Sequence, residues 1–259
     1  EIVAEGGITR MMGVFQSLED VGDLGSIRSA RDYYVNLAVG HDAIYVHAGG
    51  SPQAYEAFNS WNVTHIDFVN GPYGSMCWRD PDRRKSAGLE HSLLTSGEAI
   101  ADMLSQRELE GHSGGYTYEM AFTDDGTPAG GSKAATVTVP FSSYKTGVFR
   151  YDVRSGLYLA EEYGEPYIDG NDNSQVSVTN LLVLQTTYVV QDDAGRVKVD
   201  LSSGSGWFAC GGKMVPITWE KGSADNQFRY FLEDGSALTL GRGKSYVCVI
   251  PSSRSVSVE

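Results

Sequence analysis

The sequence predicts an α+β protein: an N-terminal α/β domain with a mixed, mostly parallel sheet, followed by a mainly antiparallel all-β domain. Three observations carry this. Up to about residue 115, apolar stretches alternate between strand-like and helix-like spacing, whereas beyond it nearly every segment is β-branched, aromatic and alternating. Turns such as DDAG and EDG separate the later segments at hairpin spacing, as in a sandwich or open barrel. A chain of 259 residues with 41% hydrophobic and 20% charged residues has the balance of a globular protein of one large or two ordinary domains. The domains are therefore expected at 1–115 and 116–259.

In the first region, ITRMMGVFQ (8–16) reads as a strand and LGSIR (24–28) as a short one. SARDYYVNLAVG (29–40) reads as a helix, with Ser29 as N-cap and Asp32 closing a capping box. AIYVHA (43–48) is a strand, and GGSPQAYEAFNSW opens a helix with Ser51 at N-cap and Pro52 at N1. VTHIDFV (63–69) is a further strand. A long loop follows, and then GEAIADMLSQREL forms a helix, with Thr95 and Glu98 as a capping box and Ser96 also placed to cap. Strands alternating with helices imply right-handed crossovers and a mostly parallel sheet. The second region offers about ten strand segments and no helical pattern.

The net charge of −13 argues against nucleic acid as a partner, because phosphate-backbone binding needs a basic face. No run of 18 apolar residues is present, and the opening EIVAEGGITR is neither a charged leader nor an apolar signal segment. Cys77, Cys210 and Cys248 lack zinc-type spacing, so no structural metal is expected; Cys210 and Cys248 either pair or act as small buried hydrophobes. His41, Asp42 and His47 only sketch a metal site, since six-residue spacing across a strand leaves the two rings without a common direction.

If strands 24–28, 43–48 and 63–69 are parallel, the connections leaving them emerge at one edge of the sheet, where open α/β sheets bind ligands. That edge holds Arg28 and Arg31, the HAGGSP turn with His47, Gly49, Gly50 and Ser51, and the loop with Trp78, Arg79 and Asp80. Arg10 joins it only if 8–16 forms a hairpin with 24–28. Arg28 and Arg31 crowd cations against the positive end of a helix, where an acid is favoured by roughly 0.3 to 1 kcal/mol. A guest anion between guanidinium forks and backbone amides explains that placement. Pairing with Asp32, Asp42 or Glu5 explains it equally well. The first 115 residues hold seven Arg and one Lys, against six of each afterwards, a bias that suits fixed-geometry anion recognition. His91, before Thr95, is placed to act as a general acid or base, or else to order its loop. Trp78 is suited to stacking on a ligand or to anchoring that loop. HAGGSP fits neither a dinucleotide fingerprint nor a P-loop, and no serine lies in a nucleophile elbow. Trp207, Trp219, Tyr151, Tyr158 and Tyr230 read as core or edge aromatics, with a glycan platform as the other reading.

VAEGGITRMMGVFQ, GSIRSARDYYVNLAVGHDAIYVHAGGSPQAY, WRD followed by HSLLTS, FRYDVRSGLYLAEEYGEPYIDG, NLLVLQTTYVV and GSGWFACGGKMVPITWEK together resemble the YerB-like family of bacterial lipoproteins, over nearly the whole chain. The resemblance implies N- and C-terminal domains of unknown function, and an extracytoplasmic protein held to the membrane through a lipid-modified cysteine outside this sequence. It carries over Glu5, Arg10, Arg28, Arg31, His47, Trp78, Arg79, Asp80, His91 and Thr95. Two departures stand out: the family's segment before EGGITR, with a further strand, is missing, and Ser92 stands where an Asn commonly follows the His. The run from MMGVFQ to THIDFV is also similar to LytR-CpsA-Psr phosphotransferases, which hold pyrophosphate with arginines, although a shared fold does not carry a shared reaction.

The expectation is therefore an envelope protein binding a phosphorylated or other anionic ligand, such as a phospho-glycan, through Arg10, Arg28, Arg31, His47, Gly49, Gly50, Ser51, Trp78, Arg79 and Thr95, with no cofactor. Two alternatives remain. One is a phosphoryl or glycosyl-phosphate transfer enzyme, with Asp80 and His91 as candidate catalytic groups. The other is a protein-interaction module.

Overall fold

The computed structural model describes residues 1–109 and 111–259. They divide into two compact units: an α/β unit of residues 13–118 and 224–227, and a β unit of residues 1–12, 119–223 and 228–259. The first twelve residues thus pack with the second half of the sequence. The cause is long-range pairing: Ile2–Val3 lies antiparallel to Thr9–Arg10 and, through Ile2 and Val249, parallel to the strand Ser245–Pro251, with Ile2 and Val3 buried. Only Thr9–Arg10 of the expected strand 8–16 forms a ladder, and the rest of that stretch leaves Met11, Val14 and Phe15 exposed.

The α/β unit contains an antiparallel set in which Leu93–Ser96 lies between Asp23–Gly25 and Trp78–Arg79. It also contains a parallel pair, Tyr45–His47 with His65–Asp67. Residues 27–30 join the two: Ile27 N donates to Leu93 O, Ala48 N to Arg28 O, and Ala30 N to Gly49 O, with a parallel bridge from Ala30 to Gly50. A parallel run of three segments is thus present through the crossovers α1 (Asp32–Gly40) and α2 (Pro52–Ser60), but its first segment is 28–30, whereas most of the expected strand 24–28 belongs to the antiparallel set. One face packs Ala30 with Val35 of α1 and Ala54, Ala57 and Phe58 of α2. The other packs Ile66, Phe68 and Leu93 against Met103 of α4 (Gly97–Gln106).

The helix caps follow local chemistry at two of the predicted sites. Ser51 Oγ accepts from Ala54 N with Pro52 in the first turn, and Ser96 Oγ accepts from Ala99 N. Ser29 does not cap. Ala30 is tied on both sides to the Gly49–Ser51 strand end, so 29–31 stays extended and α1 begins only at Asp32, after Arg31. Thr95 is not a cap either: its buried hydroxyl donates to Met76 O at 2.7 Å. Inside the long loop a short helix forms, α3 (Pro81–Ala87), capped by Asp80 and stopped at Gly88.

The β unit is a sandwich. An eight-stranded sheet contains Asn180–Thr186, Ser203–Cys210, Lys213–Glu220 and Ser245–Pro251, and a six-stranded sheet contains Thr136–Pro140, Thr146–Asp152 and Leu157–Glu162. Alternate residues of both interdigitate: Val137, Val139, Phe149 and Ala160 from one meet Leu181, Val183, Ala209 and Ile250 from the other. Cys210 and Cys248 are buried and free. Strand Asn180–Thr186 lies between theirs, so two inter-strand spacings, about 9–10 Å, separate the strands and exceed the reach of a disulfide. Trp219, Tyr158 and Tyr230 are buried, so these three serve the core and present no glycan platform.

Within this unit lies a buried ion. The side chain of Lys145 is 1% exposed; its Nζ stands 2.7 Å from Glu162 Oε1 and 3.4 Å from Glu1 Oε1, with the Tyr163 ring 4.5 Å away. Glu1 also accepts from the Tyr246 and Thr9 hydroxyls, which fastens the N-terminal strand to this cluster.

Candidate functional site

The strand-to-helix turn after Tyr45–His47 was expected to cradle a guest anion; the protein fills that cradle itself. The alternation in HIDF places His65 and Asp67 on the face under α2 and Ile66 on the opposite face. Asp67, 4% exposed, takes Gly49 N at 2.8 Å and Val69 N at 2.9 Å on Oδ1, and the Tyr55 hydroxyl at 2.6 Å and Asn70 Nδ2 at 3.1 Å on Oδ2. Burial raises the carboxyl's pKa, but these four donors together outweigh it and hold Asp67 well below the usual carboxylate range. Gly49 sits at φ +70°, where a glycine turns the chain at no steric cost.

Next to it lies a histidine pair. His47 Nδ1 is 2.8 Å from Gly49 O, which can only accept, so Nδ1 carries the proton and Nε2 accepts from His65 Nδ1 at 2.9 Å. Phe58 of α2 stacks on His65 at 4.0 Å and on His47 at 4.8 Å between ring centroids. Burial lowers the pKa of both imidazoles, most strongly opposed by the Gly49 carbonyl at His47 and by Asp67 at His65. The result is a neutral, aromatic-covered pair that fixes the turn Gly49–Ser51.

Of the arginines, Arg31 lies against this turn, donating to the Ala30 carbonyl that also accepts Ser51 N, whereas Arg28 and Arg79 bond to the segment 89–90. Arg10 lies in the β unit and pairs there with Glu5 at 2.9 Å. Arg31 is buried, and its Nη1 donates to Ala30 O at 2.8 Å and Ser29 O at 3.4 Å. Arg28 Nη1 donates to Glu90 O at 2.6 Å and Nη2 to Glu90 Oε2 at 2.9 Å, a partner outside the three carboxylates expected from sequence. Arg79 Nη1 donates to the neighbouring carbonyl, Leu89 O. Two guanidinium groups thus pin one 3₁₀ turn, Leu89–His91.

That turn belongs to an exposed loop closed at its base by Asp80 N to Ser92 O. Residues 81–91 are all exposed. Asp80 Oδ1 accepts from Arg83 N at 2.7 Å as the cap of α3, His91 is exposed on the turn, and Trp78 stands 41% exposed at the loop's base. Arg83, Arg84 and Lys85 have no carboxylate partner among the described residues. Asp42 lies elsewhere, accepting from Ser113 N and Oγ.

Of the sequence-predicted residues, the structure groups Arg28, Trp78, Arg79, Asp80 and His91 at this loop, and His47, Gly49, Gly50 and Ser51 at the self-filled turn. Thr95 is an internal hydroxyl, and Arg10 belongs to the β unit. Sequence reasoning missed His65, Asp67, Tyr55 and Glu90. Period-two reading of HIDF signals the first two; nothing local signals that Arg28 meets Glu90, 62 positions away.

Comparison with known proteins accords with this architecture. The C-terminal domain of a protein of unknown function, DUF3048, matches residues 137–247, and its N-terminal domain matches residues 1–110. The chain is 28% identical over 264 residues to "Putative lipoprotein YerB" of Bacillus subtilis (strain 168), covering 100% of this chain and 76% of that protein. The crystal structure of YerB protein from Bacillus subtilis superposes with a TM-score of 0.78 at 22% identity, covering 92% of this chain and 78% of that one, which shows the same fold. With both domains matched in order and with a two-unit fold shared, the chain belongs to the DUF3048 family, the one that includes YerB-like proteins.

Proposed function

We propose that this chain is a lipid-anchored, extracytoplasmic envelope protein whose α/β unit binds a phosphate-bearing envelope ligand on the loop 78–91. The anchor follows the name of its Bacillus relative. The ligand reading rests on one observation: Arg83, Arg84 and Lys85 stand exposed and uncompensated on a loop pinned by two further arginines, in a chain of net charge −13. An acidic protein gains nothing in solubility from three adjacent cations. Asp80 and Asp82 sit at the N-terminal end of α3 and Arg84 and Lys85 in its last turn, as the helix dipole favours. Trp78 adds a stacking face at its base.

The shared chemistry is the phosphate group, whether of a lipid headgroup or of a soluble phosphoester. The test compares the full chain with the R83A/R84A/K85A variant, in which every change is on the surface. Probes are phosphatidylglycerol vesicles, phosphatidylcholine vesicles and free pyrophosphate. At about 1 kcal/mol for each cation near an anionic surface, the variant is expected to lose at least tenfold in affinity for the anionic vesicles, for pyrophosphate, or for both. The arm that responds identifies the source. Equal affinity of variant and wild type in every arm overturns the reading.

A further inference from the structure

The loop carries an anion of its own. Glu90 has a side chain 78% exposed, and among the described residues its carboxylate touches only Arg28, at 2.9 Å. Arg28, by contrast, is held independently of that side chain, because its Nη1 donates to the Glu90 backbone carbonyl at 2.6 Å. The Glu90 carboxylate is therefore free to leave while the guanidinium keeps its position, with Nη2 aimed at an oxyanion.

We propose that Glu90 is a built-in competitor, and that a terminal phosphate of the ligand replaces its carboxylate on Arg28 Nη2. This rests on the reading of the loop given above and deepens it by naming the ligand group. Against a singly charged carboxylate tethered in place, an incoming group with more charge than a phosphodiester competes better. A phosphate monoester or a pyrophosphate end group, near −2 at neutral pH, provides that charge, and the guanidinium fork suits such an oxyanion. The exchange is easily reversible because an exposed pair of this kind contributes little. Neighbouring Arg79, bound to Leu89 O, keeps the turn in place when the side chain of Glu90 moves away.

The test is titration of the full chain with pyrophosphate, comparing wild type with Glu90→Gln, Asp82→Asn, Arg28→Lys and the Glu90→Gln/Arg28→Lys double variant. Glu90→Gln removes the competitor without changing shape. It is expected to tighten pyrophosphate binding about two- to fivefold, the range that an exposed ion pair supports. Asp82→Asn removes the same charge from the same loop away from Arg28, so it reports the general electrostatic gain and is expected to give less. The advantage of Glu90→Gln is expected to vanish in the double variant, where the fork is gone and the charge kept.

Glu90→Gln binding no better than Asp82→Asn, or a gain that survives Arg28→Lys, overturns the competitor role. Either result leaves the loop reading intact, since that depends on the triple variant. Conversely, a triple variant with unaltered affinity alongside a gain through Arg28 places the site at Arg28 alone and overturns the loop reading.

Discussion

The β unit and the α/β unit place their charges in opposite ways. In the β unit Lys145 is buried with two carboxylates from distant parts of the sequence, Glu1 and Glu162, and shielded by Tyr163. In the α/β unit the buried groups around α2 are a neutral histidine pair and one hydrogen-bonded aspartate, while the cations of the 79–85 segment stay in water. A buried ion pair resists exchange, because removing either member leaves an uncompensated charge. An exposed one such as Arg28–Glu90 is nearly neutral in stability. The contrast assigns a structural role to the first cluster, and the ligand exchange proposed above is confined to the second.

The largest test of that contrast is Lys145→Met, which keeps much of the buried volume and removes the charge. Leaving the Glu1 and Glu162 carboxylates unpaired is expected to destabilise the β unit by about 3 to 5 kcal/mol at neutral pH. Trp219 is buried in this unit, whereas Trp61 and Trp78 of the other are exposed, so the blue-shifted part of the tryptophan emission follows the β unit in a urea titration. An unchanged midpoint would show that Lys145 is not what fastens the strand Ile2–Val3.

Much of this architecture was legible in the sequence, and the exceptions share a cause. Ser51 with Pro52, the alternation of the later strands, and the crossovers through α1 and α2 are local patterns, and each produced the expected element. The placement of residues 1–12 depends on Ile2 meeting Val249, a pairing that no window of sequence displays. Ser29 looked like a cap because its neighbours suit a helix; the strand-end bonds of Ala30 to Gly49 and Ser51 overrode that preference. At the turn expected to receive an anion, Gly49 N donates to Asp67, 18 positions away. Local chemistry indicated a site for a negative group and could not say that the chain supplies it.

The next effect in size distinguishes the α/β unit by pH. The sign is fixed by direction: the folded-state pKa values of His47 and His65 are both lowered from 6.5, so the folded state takes up fewer protons than the unfolded chain. Stability contributed by the pair is present above pH 6.5 and is lost as pH falls through the lowered values. Asp67 acts in the same sense further down, below its ordinary 3.8. Thermal unfolding of the α/β unit, followed by helical circular dichroism, should therefore shift downward between pH 7 and pH 5. His65→Gln, which replaces one imidazole by an uncharged donor, should flatten that dependence. A slope identical to that of wild type would assign the acid sensitivity to other groups.

The smallest effect tests the two serines that sequence treats alike. Ser51 Oγ accepts from Ala54 N, so Ser51→Ala should cost the α/β unit about 1 kcal/mol. Ser29 precedes an extended segment and lies two residues before the N-cap position of α1, so Ser29→Ala should change stability by less than about 0.5 kcal/mol. The pair of variants discriminates because both remove one hydroxyl ahead of a helix and differ only in whether the backbone turns helical after it. Equal losses would mean that α1 begins near Ser29 in solution, which would release Ala30 from Gly49 and free the amide cradle that Asp67 now helps to close. A clear difference keeps Ala30 tied to Gly49 and the start of α1 at Asp32.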